Sequence, residues 1–250
     1  MTSFPGAIDY ATHAIRSLLR GSVLPDRLVL YLTLADFRTK PLPADLRQLE
    51  ADNPVFEIRD YGDDIRSYRK LIPALHDFPN AVVVTVDDDV WYHRHMLRDL
   101  LRLHTREPHA VLAHRAKRIK LNLPYRKWKK YRWYYFILKH IHRDFANLQT
   151  GVGGVLYPPG CLEESVINPK LFTKIAPYQD DIWFWAAAAL KGYPVIPVPF
   201  GHNKPRSLHK PKELSLKTTN FKNGVDRNVL ALRAILEKFP ELVNRLKKED

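Results

Sequence analysis

Apolar residues recur over the first hundred positions in two alternating rhythms. Over residues 7–19 they fall at helical spacing (Ile8, Ala11, Ile15, Leu18 and Leu19), which predicts an amphipathic helix. Residues 27–34, RLVLYLTL, then read as a buried strand. A short helix is expected over 43–51, opening on proline, which a first helical turn tolerates. Residues 55–59 alternate as a strand does, and 64–75 return to helix. The run AVVVTV at 81–86 is β-branched, as in a central strand covered on both faces. Alternation of this kind predicts an α/β fold with a mostly parallel, doubly wound sheet and helices on both faces.

The rhythm breaks over 115–143, which hold eleven Lys/Arg, seven aromatics and no Asp or Glu. Order resumes at Gln149 with an expected glycine-rich strand pair (TGVGGVLYPPG), followed by a helix over 180–190. Prolines 194, 197, 199, 205 and 211 mark an irregular tail, and a last helix is expected over 224–239. No repeat or low-complexity segment is present.

Composition narrows the class. A chain of 250 residues with 45% hydrophobic and 27% charged residues is ordinary for a globular protein with one sizeable core. No run approaches the roughly 18 apolar residues of a membrane span, and the opening MTSFPGAIDYATHAIRSLL has no basic and apolar signal-peptide pattern. Cys161 is alone, which excludes an internal disulfide and a multi-cysteine metal site and fits a reduced cytoplasmic setting. The net charge of +13 points instead to an anionic partner.

The candidate chemistry starts at Asp87, Asp88 and Asp89, directly after the β-branched run. Ligands of open α/β sheets bind at the carboxyl ends of strands, so these acids belong at a site rim. In an extended segment Asp87 and Asp89 project to one side and Asp88 to the other. Such a pair suits a divalent cation, and hard oxygen ligands favour Mg2+ or Mn2+ over zinc. The alternative is a solvated acidic turn.

Five segments, in chain order, resemble GT-A glycosyltransferases, specifically the family-2-like bacterial enzymes of surface polysaccharide and lipopolysaccharide synthesis. They are Thr2-Ser-Phe-Pro5, SYRKLIPAL from Ser67, VTVDDDV from Val84, the glycine-rich QTGVGGVLYPPG from Gln149, and DDIWFW from Asp180. The resemblance implies a GT-A fold in one domain, with a nucleotide-sugar half at about 1–100, an acceptor half at about 101–200, and a lid with a C-terminal helix at about 201–250. It implies a loop at Thr2, Ser3 and Phe4 near the nucleotide base, and Tyr68, Lys70, Asp87 and Asp88 on the donor. It further implies Asp87 and Asp89 as metal ligands, with His202 or His209 as a third, and Gly153, Gly154 and Trp183 against the acceptor. Asp181, and secondarily Asp180, is then the general base, although acids at a helix start also stabilise its N-terminus. A GT-A domain begins with a full strand before its base-binding loop, whereas here Met1 directly precedes Thr2. Either that strand is nearly absent or the chain starts upstream.

The implied reaction moves a sugar, from a uridine diphosphate donor by resemblance, to a glycan or lipid-linked acceptor. A family-2-like Asp base implies inversion, while the DDI segment also resembles retaining exostosin-type enzymes. Lys70, with Lys204, Arg206 or Lys210 of the tail, would add positive charge against the diphosphate. The basic aromatic stretch suits peripheral docking on an anionic membrane or a phosphorylated acceptor, or else an insertion with aromatics inward and cations outward. Two rivals remain. A haloacid-dehalogenase-type phosphoryl transferase shares an acidic motif after a strand, but Trp91 stands where that motif has Thr or Val, and 86 residues precede it. A nucleic-acid-binding module would explain the charge, yet no recognised binding motif supports it.

Overall fold

The computed structural model describes residues 1–131, 143–198, 204–211, 220–222 and 224–247. Its helices are α1 (Ile8–Leu19), α2 (Ala44–Asp52), α3 (Ile72–Asp77), α4 (Met96–His104), α5 (Pro169–Ile175), α6 (Asp180–Lys191), α7 (Arg227–Lys238) and α8 (Glu241–Lys247). The strands that organise them are β1 (Leu28–Leu32), β2 (Phe56–Asp60), β3 (Val83–Thr85), β4 (Val90–Trp91), β5 (Val111–Ala113), β6 (Ala116–Arg118), β7 (Asn147–Gln149), β8 (Val155–Tyr157), β9 (Val195–Pro197) and β10 (Arg206–Ser207).

The fold is mixed α/β, and the sheet differs from the parallel one expected. β1 and β2 pair in parallel, as do β5 and β9. The four-stranded sheet runs β3-β8-β5-β9, however, with β8 antiparallel to both neighbours. β3, α4 and β5 form a crossover unit that leaves one strand position open. The chain returns much later, reverses in the glycine-rich turn and fills that position from the opposite direction. Nor is β3 the central strand expected: it lies at the edge of this sheet, with Val83 and Val84 only partly buried, because local hydrophobic pattern is silent on strand order and direction.

Alternation across this sheet divides the core. Val111, Ala113, Val155, Tyr157 and Val195 face one cluster, which also takes Tyr68, Phe172 and the apolar residues of α6, α7 and α8. Leu112, Leu156 and Ile196 face the other, with Ile8, Ala11 and Ile15 of α1 and Met96 and Leu100 of α4. Helices therefore cover both faces, as the sequence suggests, because every second side chain of a continuous apolar strand needs its own cover.

Where a first strand is expected, the described residues make a single parallel bridge between Thr2 and Tyr31. The Tyr31 amide donates to the Met1 carbonyl at 3.0 Å. The expected glycine-rich strand pair is also corrected: Gly151–Gly153 form a 3-10 turn between β7 and β8, and β7 pairs with β6 instead. The segment 64–75 splits into a 3-10 helix, Arg66–Lys70, and α3. The last helix starts at Arg227 because Asp226 caps it, accepting from the amides of Asn228 and Val229.

Gly154 follows that turn at φ 92°, ψ 134°, a region nearly closed to other residues. A Cβ there would lie 3.0 Å from the Met96 sulfur. Gly154→Ala is expected to cost about 1–3 kcal/mol, read as a lowered urea midpoint with an unchanged slope.

Candidate active site

The 3-10 helix Arg66–Lys70 builds the centre of the site. Side chains three apart eclipse in this helix, so Ser67 and Lys70 share a face and both reach Asp180. The Ser67 hydroxyl donates to Asp180 Oδ1 at 2.8 Å, and Lys70 Nζ lies 2.7 Å from Asp180 Oδ2. Arg66, at a left-handed φ of 54°, enters the turn with its guanidinium 4.1 Å above the Tyr178 ring. Such a conformation is unusual for a residue with a Cβ, and the stacking on the loop before α6 holds it there.

Lys70 collects two more carboxylates, Asp87 Oδ1 at 3.3 Å and Asp181 Oδ1 at 3.6 Å. Asp87 arrives from the end of β3, where its amide donates to the buried Tyr92 hydroxyl at 2.8 Å. Asp180 and Asp181 open α6, whose N-cap is Gln179, so neither acid caps the helix with its side chain. The Gly151 amide donates to Asp181 Oδ2 at 3.2 Å. Gly151 is required by space: a Cβ would meet Asp87 Oδ1 at 2.7 Å and Lys70 Nζ at 2.9 Å.

Three acids around one ammonium leave an excess of negative charge in a nearly dry place. Burial alone would lower the Lys70 pKa, but Asp180, Asp87 and Asp181 overcome it and hold the group charged, well above its usual value. Asp181 moves oppositely. Burial pushes it up, Lys70 pulls it down, and repulsion from Asp180 and Asp87 leaves it at about 7. Its side chain remains 28% exposed, so solvent or a ligand can reach it.

A second ammonium governs the other two acids. Lys210 Nζ lies 2.6 Å from Asp88 Oδ1 and 3.4 Å from Asp89 Oδ2. Ser3 donates to Asp88 Oδ2 at 2.6 Å, and Lys210 stands 5.9 Å from the centre of the exposed Phe4 ring. β10 pairs antiparallel with β4, and Leu208 donates to the Asp89 carbonyl at 2.8 Å. The tail therefore lies across the acidic turn, and it brings Lys210 with it.

Asp87, Asp180, Asp181 and Lys70 come together, Ser3 meets Asp88, and Phe4 stands beside Lys210. Several expected sites are corrected. Tyr68 is fully buried, stacked 4.0 Å from Phe172 with its hydroxyl donating to the Ala176 carbonyl at 2.5 Å, and offers no ring to a base. The Thr2 hydroxyl is taken by the Tyr31 carbonyl at 2.8 Å. Trp183 is 1% exposed, its indole donating to the Val166 carbonyl, and Trp185 is equally buried, so neither can stack on a sugar. Gly153 is buried in the turn and Gly154 packs on Met96, so neither lines a route to the acids. Lys204 and Arg206 line a different cavity. Ser67 and Tyr92 were missed. Ser67 alone had a local signal, its spacing of three from Lys70.

The metal assignment does not fit this arrangement. Asp87 and Asp89 address different lysines, and among the described residues no three His, Cys, Asp or Glu side chains converge as a metal site. His209 is exposed, and His202 lies outside the described residues.

No family model matches the chain, and no curated protein matches it. Among solved structures, a mannosyltransferase from Pyrobaculum calidifontis in complex with GDP-Man and Mn2+ is similar with a TM-score of 0.49 and 12% identity. The match covers 79% of this chain and 53% of that one, so this chain spans about half of its length. An apo UDP-glucose pyrophosphorylase gives 0.43 at 7% identity, covering 93% and 87%. A UTP-bound UGPase from Acinetobacter baumannii gives 0.43 at 8%, covering 97% and 87%. Below a TM-score of 0.5, these likenesses carry nothing further about this chain.

Two outcomes test the electrostatics. Lys70→Met strands three carboxylates together and is expected to cost about 3–5 kcal/mol, seen as a large loss of urea midpoint at pH 8. Asp181 has a raised folded pKa, so its contribution to stability is full below the unfolded value of 3.8 and is lost as pH rises towards about 7. The Tm of Asp181→Asn relative to wild type is therefore expected to climb between about pH 4 and 7 and level off above, in a thermal series across that range.

Proposed function

We propose that this chain is a glycosyltransferase of GT-A type that moves a sugar from a nucleotide-sugar donor, in the first instance a uridine diphosphate sugar, to a hydroxyl of a glycan or lipid-linked saccharide. The observation that carries the reading is Asp181, a partly exposed carboxylate with a pKa of about 7 at the mouth of a cluster of acids. Catalytic bases work best when their pKa lies near the operating pH, and a purely structural ion pair would push an aspartate down.

In the proposed step the acceptor oxygen bonds to the anomeric carbon as the bond from that carbon to the diphosphate oxygen breaks. The acceptor proton passes to Asp181, and the diphosphate leaves with the electron pair. Attack opposite the leaving group inverts the anomeric centre. Lys70 keeps Asp180 and Asp87 charged and turned inward, which sustains the basicity of Asp181. Lys210, partnered by Asp88 and Asp89 in the free protein, is the cation nearest to a donor seated on Ser3 and Phe4. Its ammonium would meet the growing charge on the diphosphate. No step here runs through a metal ion.

Five acids sharing two lysines also answer the plain alternative of a solvated acidic turn. Charges are not balanced in this cluster, and an unbalanced buried cluster costs stability unless it serves a purpose. A setting at a membrane surface belongs to the same reading; no helix among the described residues is long and apolar enough to cross one.

A calorimetric screen of nucleotide sugars, run with and without manganese, is expected to find one preferred donor and will read any metal dependence directly. Asp181→Asn is expected to keep donor affinity within about threefold while losing roughly 10²–10⁴ in kcat. Absence of donor binding under both conditions, or full turnover by Asp181→Asn, would overturn the proposal.

A further inference from the structure

Beside the β4–β10 ribbon lies a cavity of about 390 Å³ that the sugar-transfer reading does not use. Arg20 at the end of α1, Arg94, and Lys204 and Arg206 of the tail line it together with Trp91 and His93. No Asp or Glu contributes to its walls. The contrast with the rest of the molecule is instructive. Lys70 and Lys210 have carboxylates within 4 Å, as do Arg59 and Arg16. Among the described residues, no salt bridge involves Arg20, Arg94, Lys204 or Arg206. Four like charges gathered around one cavity repel each other, and an anion in their midst converts that repulsion into attraction.

The walls are fixed independently of any ligand. The Tyr92 amide donates to the Ser17 hydroxyl at 2.9 Å. The Ser22 amide donates to the Arg94 carbonyl at 2.6 Å. Arg206 is registered opposite Trp91 in the β4–β10 pairing, and the Arg20 guanidinium sits 5.8 Å from the centre of the Trp91 ring, a cation–π distance. Arginine forks match phosphate oxygens in pairs, whereas they have no comparable fit to a halide. The volume exceeds what a bare ion requires, since water occupies about 30 Å³ per molecule. An organic substituent can therefore enter with the anion and lie against Trp91.

We propose that this cavity binds the phosphoryl group of a phosphate ester or diphosphate, through Arg20, Arg94, Lys204 and Arg206, with the organic portion against Trp91. The site is independent of the sugar-transfer reading, although Asp89 directly precedes β4 and Lys210 lies four residues beyond Arg206. A ligand held here would fasten β10 to β4, and with it the segment that carries Lys210.

Inorganic pyrophosphate, titrated by calorimetry in metal-depleted buffer, is the probe. Wild type is expected to bind it with an affinity that falls as salt rises. Arg20→Gln/Arg94→Gln and, separately, Lys204→Gln/Arg206→Gln should each weaken binding at least tenfold, while Arg47→Gln, which removes a surface cation from α2, leaves it unchanged. All four positions are exposed, and circular dichroism with Tm establishes that each variant is folded. Cosedimentation with phosphatidylglycerol vesicles, against phosphatidylcholine vesicles, separates the sources of the phosphoryl group. Loss of vesicle binding in the same variants assigns the cavity to a lipid headgroup, and loss of pyrophosphate binding alone assigns it to a soluble ester. No pyrophosphate binding by wild type, or binding as tight as wild type in both double variants, would overturn the site. Donor-sugar binding that survives in these variants would leave the proposed transferase standing whichever way the result falls.

Discussion

One ammonium group, that of Lys70, binds carboxylates from two segments that local sequence keeps far apart. Asp87 lies at the end of β3, and Asp180 and Asp181 open α6. The lysine is held by a 3-10 helix whose third-residue periodicity also sends Ser67 to Asp180. Remove that charge, and the three acids have neither a counterion nor enough water to share. Gly151 must be a glycine for the same reason, because the space beside Asp87 and Lys70 holds no Cβ. Backbone turn, helix start and strand end are thereby tied to one electrostatic centre.

The same centre explains how two adjacent acids acquire different characters. Asp180 is nearly enclosed and accepts from Ser67 as well as Lys70. Asp181 is farther from the ammonium, more exposed, and feels both neighbouring acids. Its proton is retained to about pH 7 because burial and repulsion outweigh the lysine. Unequal environments around paired carboxylates are how proteins divide acid and base roles between residues of one chemical type.

Much of the layer structure was legible in the sequence. The helical spacing of Ile8, Ala11 and Ile15 and the continuous apolar runs of β1 and β3 located helices and strands, since each reflects what a side chain must bury against. Strand direction was not legible: nothing in VLY at 155–157 records that it runs against β3 and β5. The acids after β3 were found through position at a strand end, and those at the start of α6 through the family resemblance. Their lysine partners were harder. Lys210 reaches Asp88 across 122 residues, and no local pattern encodes such a meeting. The buried tryptophans misled for a related reason, because an aromatic on a helix looks alike whether it faces a sugar or, as Trp183 does, the Val166 carbonyl.

Charge distribution completes the physical picture, because the excess of +13 is handled in different ways in different places. In the described part of the basic aromatic stretch, Trp128 is buried in the core with its indole donating to Leu123, while Arg126, Lys127 and Lys129 are exposed. Aromatics point inward and cations outward there, which is the arrangement of an insertion that anchors itself; residues 132–142 of that stretch lie outside the described residues. Lys117 is the exception within it. Its ammonium stands 3.3 Å from the centre of the Tyr125 ring and donates to the Tyr125 carbonyl. Burial first, then Lys130 and Arg115, lower its pKa to about 8. A ring face, a carbonyl and the nearby Asp226 thus offset part of the cost of one buried cation. The cavity beside β4 sets four cations among Trp91, Tyr92 and His93, and ring quadrupoles are too weak to offset that repulsion. The second region therefore sets its four cations around walls to which no Asp or Glu contributes.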